Sequence, residues 1–305
     1  VTGAVILALL PVILLIGLGA WLRRSGFLAA GFWPQAERLC YFVLLPALFV
    51  HGLSTAPLHA LPVGVMAVTL IGAILVVAGL VLAAHRLRPI DGPAFTSVFQ
   101  GSIRFNNYAA VTVAAGLFGA QGIALAALCN AAMVPTVNVL CILVFARYGQ
   151  ARLDLGGVLR QIATNPLILG CAGGMLLQFG GLALPPGLDQ ALRALGAASL
   201  PLGLLCVGAA LDFGSVRSWV RPVAGSAAVR FLVMPGVTLA IGSALGLGGE
   251  ALVVALLVQA MPTASSAYIL ARQLGGDAPL MAGITASQTA LAALAVPAVL
   301  TVLAP

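Results

Sequence analysis

Long apolar runs separated by short polar connections make up almost the whole of this chain. A helix that crosses a bilayer needs roughly 20 mostly apolar residues, because the hydrocarbon core is about 30 Å thick and a helix rises 1.5 Å per residue. Ten stretches meet that length: 3–22, 36–55, 61–84, 93–117, 121–147, 162–182, 188–211, 220–246, 250–273 and 279–303. The pattern predicts an all-α membrane protein of ten transmembrane helices. Little chain remains for a soluble domain.

Two stretches depart from uniform apolarity. The fourth contains Gln100-Gly101-Ser102-Ile103-Arg104-Phe105-Asn106-Asn107-Tyr108, and the ninth contains Gln259-Ala260-Met261-Pro262-Thr263-Ala264-Ser265-Ser266-Ala267-Tyr268. Such polarity at mid-depth is tolerated only where protein or a water-filled cavity lines it. Both stretches stand fourth in their half, which suggests a 5+5 inverted repeat with broken, crossing helices 4 and 9. Pro11 and Pro166 are 155 residues apart, as are Leu45-Pro46 and Leu200-Pro201. Gln100 and Gln259 are 159 apart, and Tyr108 and Tyr268 are 160 apart. Interrupted segments at matching positions of two halves point to a transport site.

Composition supports the bilayer reading. Of 305 residues 62% are hydrophobic and 7% charged, against about 25% charged in a soluble domain. The 14 basic residues are all arginine, and 11 of them fall on odd-numbered connections or the adjoining helix ends: Arg23, Arg24, Arg38, Arg86, Arg88, Arg147, Arg152, Arg160, Arg217, Arg221 and Arg272. The positive-inside rule then places both termini on the periplasmic side of a bacterial inner membrane. The first stretch carries no charge ahead of it, unlike a signal peptide. The net charge of +7 thus reports topology, since the arginines are spread over many loops with no single patch for nucleic acid. The five cysteines all lie in apolar stretches without a C-x-x-C pair, so no disulfide framework or metal site is expected. No cofactor is expected either.

Arg104 carries the sharpest chemical signal. It lies about 16 Å into its stretch, near the midplane, where an arginine costs at least ~2.5 kcal/mol. No acid lies in the same stretch. A substrate carboxylate would complete the pair through the planar guanidinium fork; the alternative is an arginine that binds carbonyls of a broken helix. Asn106 and Asn107 offer amide donors and acceptors at the same depth, beside Tyr108. If the helix breaks there, the next segment starts with free N–H groups and a positive dipole end. In the ninth stretch Pro262 disturbs the helix before it, and Thr263, Ser265 and Ser266 supply hydroxyls. Hard oxygen ligands among Gln259, Ala260, Asn138 and Gln288 could hold a sodium ion. Arg230 is either a second anion contact or a cap on the crossing. His51 is either a proton carrier or an interfacial histidine. The acids, including Glu37, lie at helix ends or in loops, so coupling to sodium or to protons stays open. No H-E-x-x-H or G-x-S-x-G run suggests an enzyme.

Several segments resemble the auxin efflux carrier family, which includes bacterial malonate and malate permeases. They are Arg104-Phe105-Asn106-Asn107-Tyr108; Met261 to Tyr268 followed by Ala271-Arg272-Gln273-Leu274-Gly275-Gly276-Asp277; Pro46 with His51; and Val229-Arg230-Phe231-Leu232 with Pro235. The long cytoplasmic loop of many plant members is missing, as is their proline just after the helix-four Asn. Both departures favour a bacterial-type permease over an auxin carrier. The resemblance implies a scaffold of helices 1, 2, 6 and 7 (residues 1–60 and 160–215) and a transport domain of helices 3–5 and 8–10 (residues 61–159 and 216–305). It implies elevator movement of a small organic anion such as malonate, and a homodimer through the scaffold. A sodium-coupled symporter of a larger amphipathic anion, such as a bile acid, is the alternative.

Overall fold

The computed structural model describes residues 2–57, 61–149, 156–157, 160, 163–212 and 219–303, with side chains from Leu7 onward. Arg152, Asp154 and Arg217 lie outside these residues, as do the expected domain boundaries at 60, 159 and 215. All regular elements among the described residues are helical: α1 (Thr2–Arg24), α2 (Phe32–Ser54), α3 (Val63–Leu87), α4 (Gly92–Ile103), α5 (Asn107–Tyr148), α6 (Pro166–Phe179), α7 (Pro186–Ala209), α8 (Val220–Ala244), α9 (Gly249–Gln259), α10 (Ser266–Leu274) and α11 (Ala278–Leu303).

Among the described residues seven helical runs are long and apolar enough to cross a membrane. One of them, Gly92–Tyr148, is 57 residues long. As one straight helix it would reach about 86 Å, nearly three times the hydrocarbon thickness. It does not run straight. The helix stops at Ile103 and restarts at Asn107, and α5 is itself folded at Gly119, where φ is 57° and ψ −134°. Gly122 then packs on the Ala114 backbone so closely that a Cβ would overlap the Ala114 carbonyl. Those two residues would be about 12 Å apart in a continuous helix, so the chain reverses at Gly119. Replacing Gly119 with Ala is expected to cost roughly 1–3 kcal/mol, because only glycine readily adopts that backbone. Thermal unfolding in detergent would show a lowered midpoint, whereas Gly17→Ala, whose Cβ would meet nothing within 4 Å, should leave it unchanged.

The polarity of the fold is that of a protein in lipid. Leu7, Leu176, Leu232 and Leu294 are exposed, while Gln100, Arg230, Gln259 and Gln288 are fully buried. Helix α2 packs on α6 and α7, and α1 on α7. Small residues allow these approaches: a Cβ on Gly208 would overlap the Ile16 carbonyl of α1, and one on Gly174 would stand 2.8 Å from Leu53 of α2. On the other side α3 packs on α5 and α8, α5 on α9, and α4 on α11. Two π-turns, Cys40–Leu44 in α2 and Val229–Val233 in α8, stand immediately before Leu45-Pro46 and Met234-Pro235.

Two boundaries differ from the sequence expectation in ways that matter. Helix α2 begins at Phe32 instead of 36, because Pro34 sits in its first turn, where the missing N–H is an orphan anyway. Glu37 therefore lies within the helix. Helix α6 covers only 14 residues from its Asn165 cap, whose side chain accepts the N–H groups of Leu167 and Ile168.

Candidate anion site at two meeting helix breaks

Both polar stretches are broken where their composition suggests. Arg104 to Asn106 run extended between α4 and α5, with Arg104 at φ −81°, ψ 149°. Asn106 caps α5: its Oδ1 accepts the Ala109 N–H at 3.1 Å. The second break runs from Ala260 to Ser265, between α9 and α10. The breaks touch, since the Asn106 N–H donates to the Pro262 carbonyl at 2.8 Å. The N-terminal ends of α5 and α10 both start at these breaks, which adds partial positive charge there.

Interrupted helices leave carbonyls that need donors, and two buried side chains supply them. Arg230 is 0% exposed. Its Nε donates to Met261, one terminal nitrogen to Ile103 at 3.3 Å and the other to Val258 at 3.1 Å. It thus ties the end of α4 to the end of α9. Gln288 braces both breaks as well: its Oε1 accepts the Thr263 N–H at 2.9 Å, and its Nε2 donates to the Gly101 carbonyl at 3.0 Å and to Ser226 Oγ at 3.1 Å. Of the two roles open for Arg230 from sequence, this geometry is that of the cap. The Gln259 amide donates to the Leu70 carbonyl at 3.4 Å.

Arg104 differs from Arg230 in every respect. It is half-buried and lines a cavity of about 450 Å³ together with Asn106, Asn107 and Tyr108. Its two terminal nitrogens donate to neutral amide oxygens, Gln100 Oε1 at 3.2 Å and Asn138 Oδ1 at 2.9 Å. No carboxylate among the described residues stands within ion-pair distance of it. Beside it are side-chain atoms that are buried without a partner: Asn106 Nδ2, Asn107 Oδ1, Tyr108 Oη and, in the second break, Thr263 Oγ1. Buried polar atoms are nearly always paired, so four unpaired ones in and next to two touching breaks set this place apart. The Tyr108 ring is held there by Gly203 of α7, where a Cβ would overlap it.

Most of the residues expected from sequence are brought together. Arg104, Asn106, Asn107, Tyr108, Pro262, Thr263, Ser265 and Ser266 all lie in or next to the breaks. Of the expected ion ligands, Asn138 and Gln288 are engaged by Arg104 and by the breaks, and Gln259 and Ala260 end α9. His51 is elsewhere. Its Nε2 stands 3.3 Å from Asp189 of α7, and it lines none of the cavities around Arg104.

Three residues were not expected. Gln100 bridges the breaks, donating to the Ala267 carbonyl at 2.9 Å while holding Arg104. Tyr41 of α2 lines the Arg104 cavity, its hydroxyl accepting from Asn165 at 3.1 Å. Glu37, four residues before Tyr41 on the same helix face, accepts from Ser265 Oγ at 2.8 Å. The expected stretch at 36–55 leaves Glu37 in its first turn, where an acid reads as terminal, whereas the helix starts at Phe32.

The family model described as membrane transport protein matches residues 4–300. The chain belongs to this family, the auxin efflux carrier family. No curated protein matches it. Membership of a transporter family agrees with the lipid-facing exterior and the polar interior, and makes the protein a multi-pass membrane transporter.

Proposed function

We propose that the protein is a secondary carrier that moves a small organic anion, such as malonate or another dicarboxylate, across a bacterial inner membrane. The observation that carries this reading is Arg104, a half-buried cation held by two neutral amides with no carboxylate among the described residues within ion-pair distance. A bound carboxylate would supply the missing charge and accept from the unused guanidinium N–H groups. Asn106 Nδ2 and the start of α5 would donate to its oxygens.

Transport in this reading follows from a ten-helix, 5+5 inverted arrangement. The first half contains α1, α2, α3, the broken pair α4 with the first arm of α5, and the second arm of α5; α6, α7, α8, the broken pair α9 with α10, and α11 make the second. Residues 1–60 and 160–215 would form a scaffold that pairs with a second copy. Residues 61–159 and 216–305 would move against it as an elevator, carrying the crossing. The tight packing of α1 and α2 on α6 and α7 supports a rigid scaffold. Both termini would be periplasmic.

The test is uptake of labelled malonate into liposomes holding the purified protein. Saturable uptake, competed by other dicarboxylates and not by neutral diols, is expected. A second reading is favoured by the apolar wall of the same cavity, formed by Phe42, Val207, Ile269 and Leu270. It is sodium-driven uptake of a larger amphipathic anion such as a bile acid. Uptake of cholate that needs sodium, with none of malonate, would replace the first reading by the second.

A further inference from the structure

The acid that faces the anion cavity has a second neighbour. Glu37 lines the cavity of about 450 Å³ that holds Arg104, Asn106 and Asn107. It also lines a separate cavity of about 520 Å³ that reaches Arg23, Asp212 and Arg272 on the arginine-rich side. Glu37 is half-buried and stands where the two cavities adjoin. One carboxylate oxygen accepts from Ser265 Oγ at 2.8 Å, and Ser265 ends the second break. No arginine or histidine among the described residues pairs with Glu37 within 4.0 Å.

The surroundings of Glu37 leave few other groups to take part in its titration. On its own helix stand Arg38, Cys40 and Tyr41. Cys206 approaches from α7 and Tyr108 from α5. Arg104 faces it across one cavity, and Arg23, Asp212 and Arg272 across the other. The neighbouring thiols and phenols ionise well above neutrality in water and the arginines stay protonated. Glu37 is the one carboxylic acid among the described residues that lines the anion cavity.

We infer that Glu37 is the proton-carrying residue of this transporter, so that each anion bound beside Arg104 is accompanied by one proton on the Glu37 carboxyl. The inference rests on the anion reading of the Arg104 site. Two negative charges that share one protein-walled cavity repel, so anion binding favours the neutral acid. The proton comes from water on the side from which the anion enters. A protonated carboxyl keeps the Ser265 bond through its carbonyl oxygen and gains an O–H donor. Glu37 belongs to the stationary scaffold of the elevator reading, so the proton crosses by a change in which side reaches the carboxyl: once the carrying domain has moved and the anion leaves, the acid returns its proton to water through the adjoining cavity. The net movement is one anion and one proton in the same direction, with no covalent change in the protein.

The test uses liposomes with wild-type protein, Glu37→Gln and Glu37→Asp. Gln keeps the shape and can still accept from Ser265, but it carries no exchangeable acid proton. Malonate exchange at equal pH is compared with malonate accumulation when the outside is more acidic. Wild type should do both. Glu37→Gln should lose pH-driven accumulation by more than tenfold and show exchange that no longer changes with pH, while Glu37→Asp keeps part of the accumulation. In detergent, a pH dye should report proton uptake when malonate is added to wild type, and none with Glu37→Gln. pH-driven accumulation by Glu37→Gln equal to wild type would overturn the inference, and so would wild-type exchange without any accumulation when the outside is more acidic. Absence of malonate exchange in wild type is a different result. It would remove the carboxylate reading of Arg104, and the proton role would fall with it.

Discussion

Arg104→Ala is expected to lower malonate uptake by roughly 100-fold while leaving a folded protein. Removing one partner of a desolvated, hydrogen-bonded charge pair costs about 2–5 kcal/mol, and each 1.4 kcal/mol is about tenfold in binding. The fold should tolerate the change. Arg104 donates to Gln100 Oε1 and Asn138 Oδ1, and it lines a cavity where water can take over both bonds. Lys at this position should recover little activity. The two arms of the guanidinium hold Gln100 and Asn138 at once and still present N–H groups to a ligand, which one ammonium cannot do. Uptake assays beside thermal unfolding would separate the effects. A variant that unfolds several degrees earlier but transports normally once reconstituted would make Arg104 structural.

Arg230→Met should have the opposite signature, a large loss of folded protein. Ile103 and Met261 would lose the Arg230 donor in an interior that water does not reach, and Val258 would keep only the Met261 N–H at 3.3 Å. An unpaired buried carbonyl costs about 1–3 kcal/mol, and several kcal/mol are expected for two, offset in part by no longer burying a guanidinium. Lys would not rescue the fold, because its single ammonium cannot reach carbonyls at the ends of both α4 and α9 with the same geometry. The readouts are the thermal midpoint and a size-exclusion profile in detergent. A well-folded Arg230→Met protein with weakened malonate binding would instead make Arg230 an anion contact.

The contrast between these two arginines shows what a sequence of this kind can convey. Both lie about ten residues into an apolar stretch, and from sequence both can be read as anion contacts or as caps. What separates them is tertiary: Arg230 points into the three carbonyls of the breaks, whereas Arg104 points into a cavity. The breaks themselves were legible, because Asn106 is an N-cap residue and Pro262 lacks a donor, both local properties. The cluster from Arg104 to Tyr108 and from Pro262 to Ser266 was legible for the same reason. The reversal at Gly119 was expected only as a gap between two stretches, since one glycine among small apolar residues leaves no period to detect. From the stretch expected at 36–55 Glu37 reads as a terminal acid, but the helix begins four residues earlier, with Pro34 at home in its first turn. His51 shares the helix of Glu37 but lies fourteen residues on, so it belongs to the Asp189 end of that helix and not to the crossing. The pairing of Glu37 with Ser265 spans 228 positions of sequence and had no local signal at all.

The most direct measurement is equilibrium binding of labelled malonate to the purified protein in detergent, wild type beside Arg104→Ala. The account predicts saturable binding to wild type that unlabelled dicarboxylates displace and neutral diols do not, and no saturable binding to the variant. Malonate binding of equal strength to both proteins would contradict an anion site at Arg104.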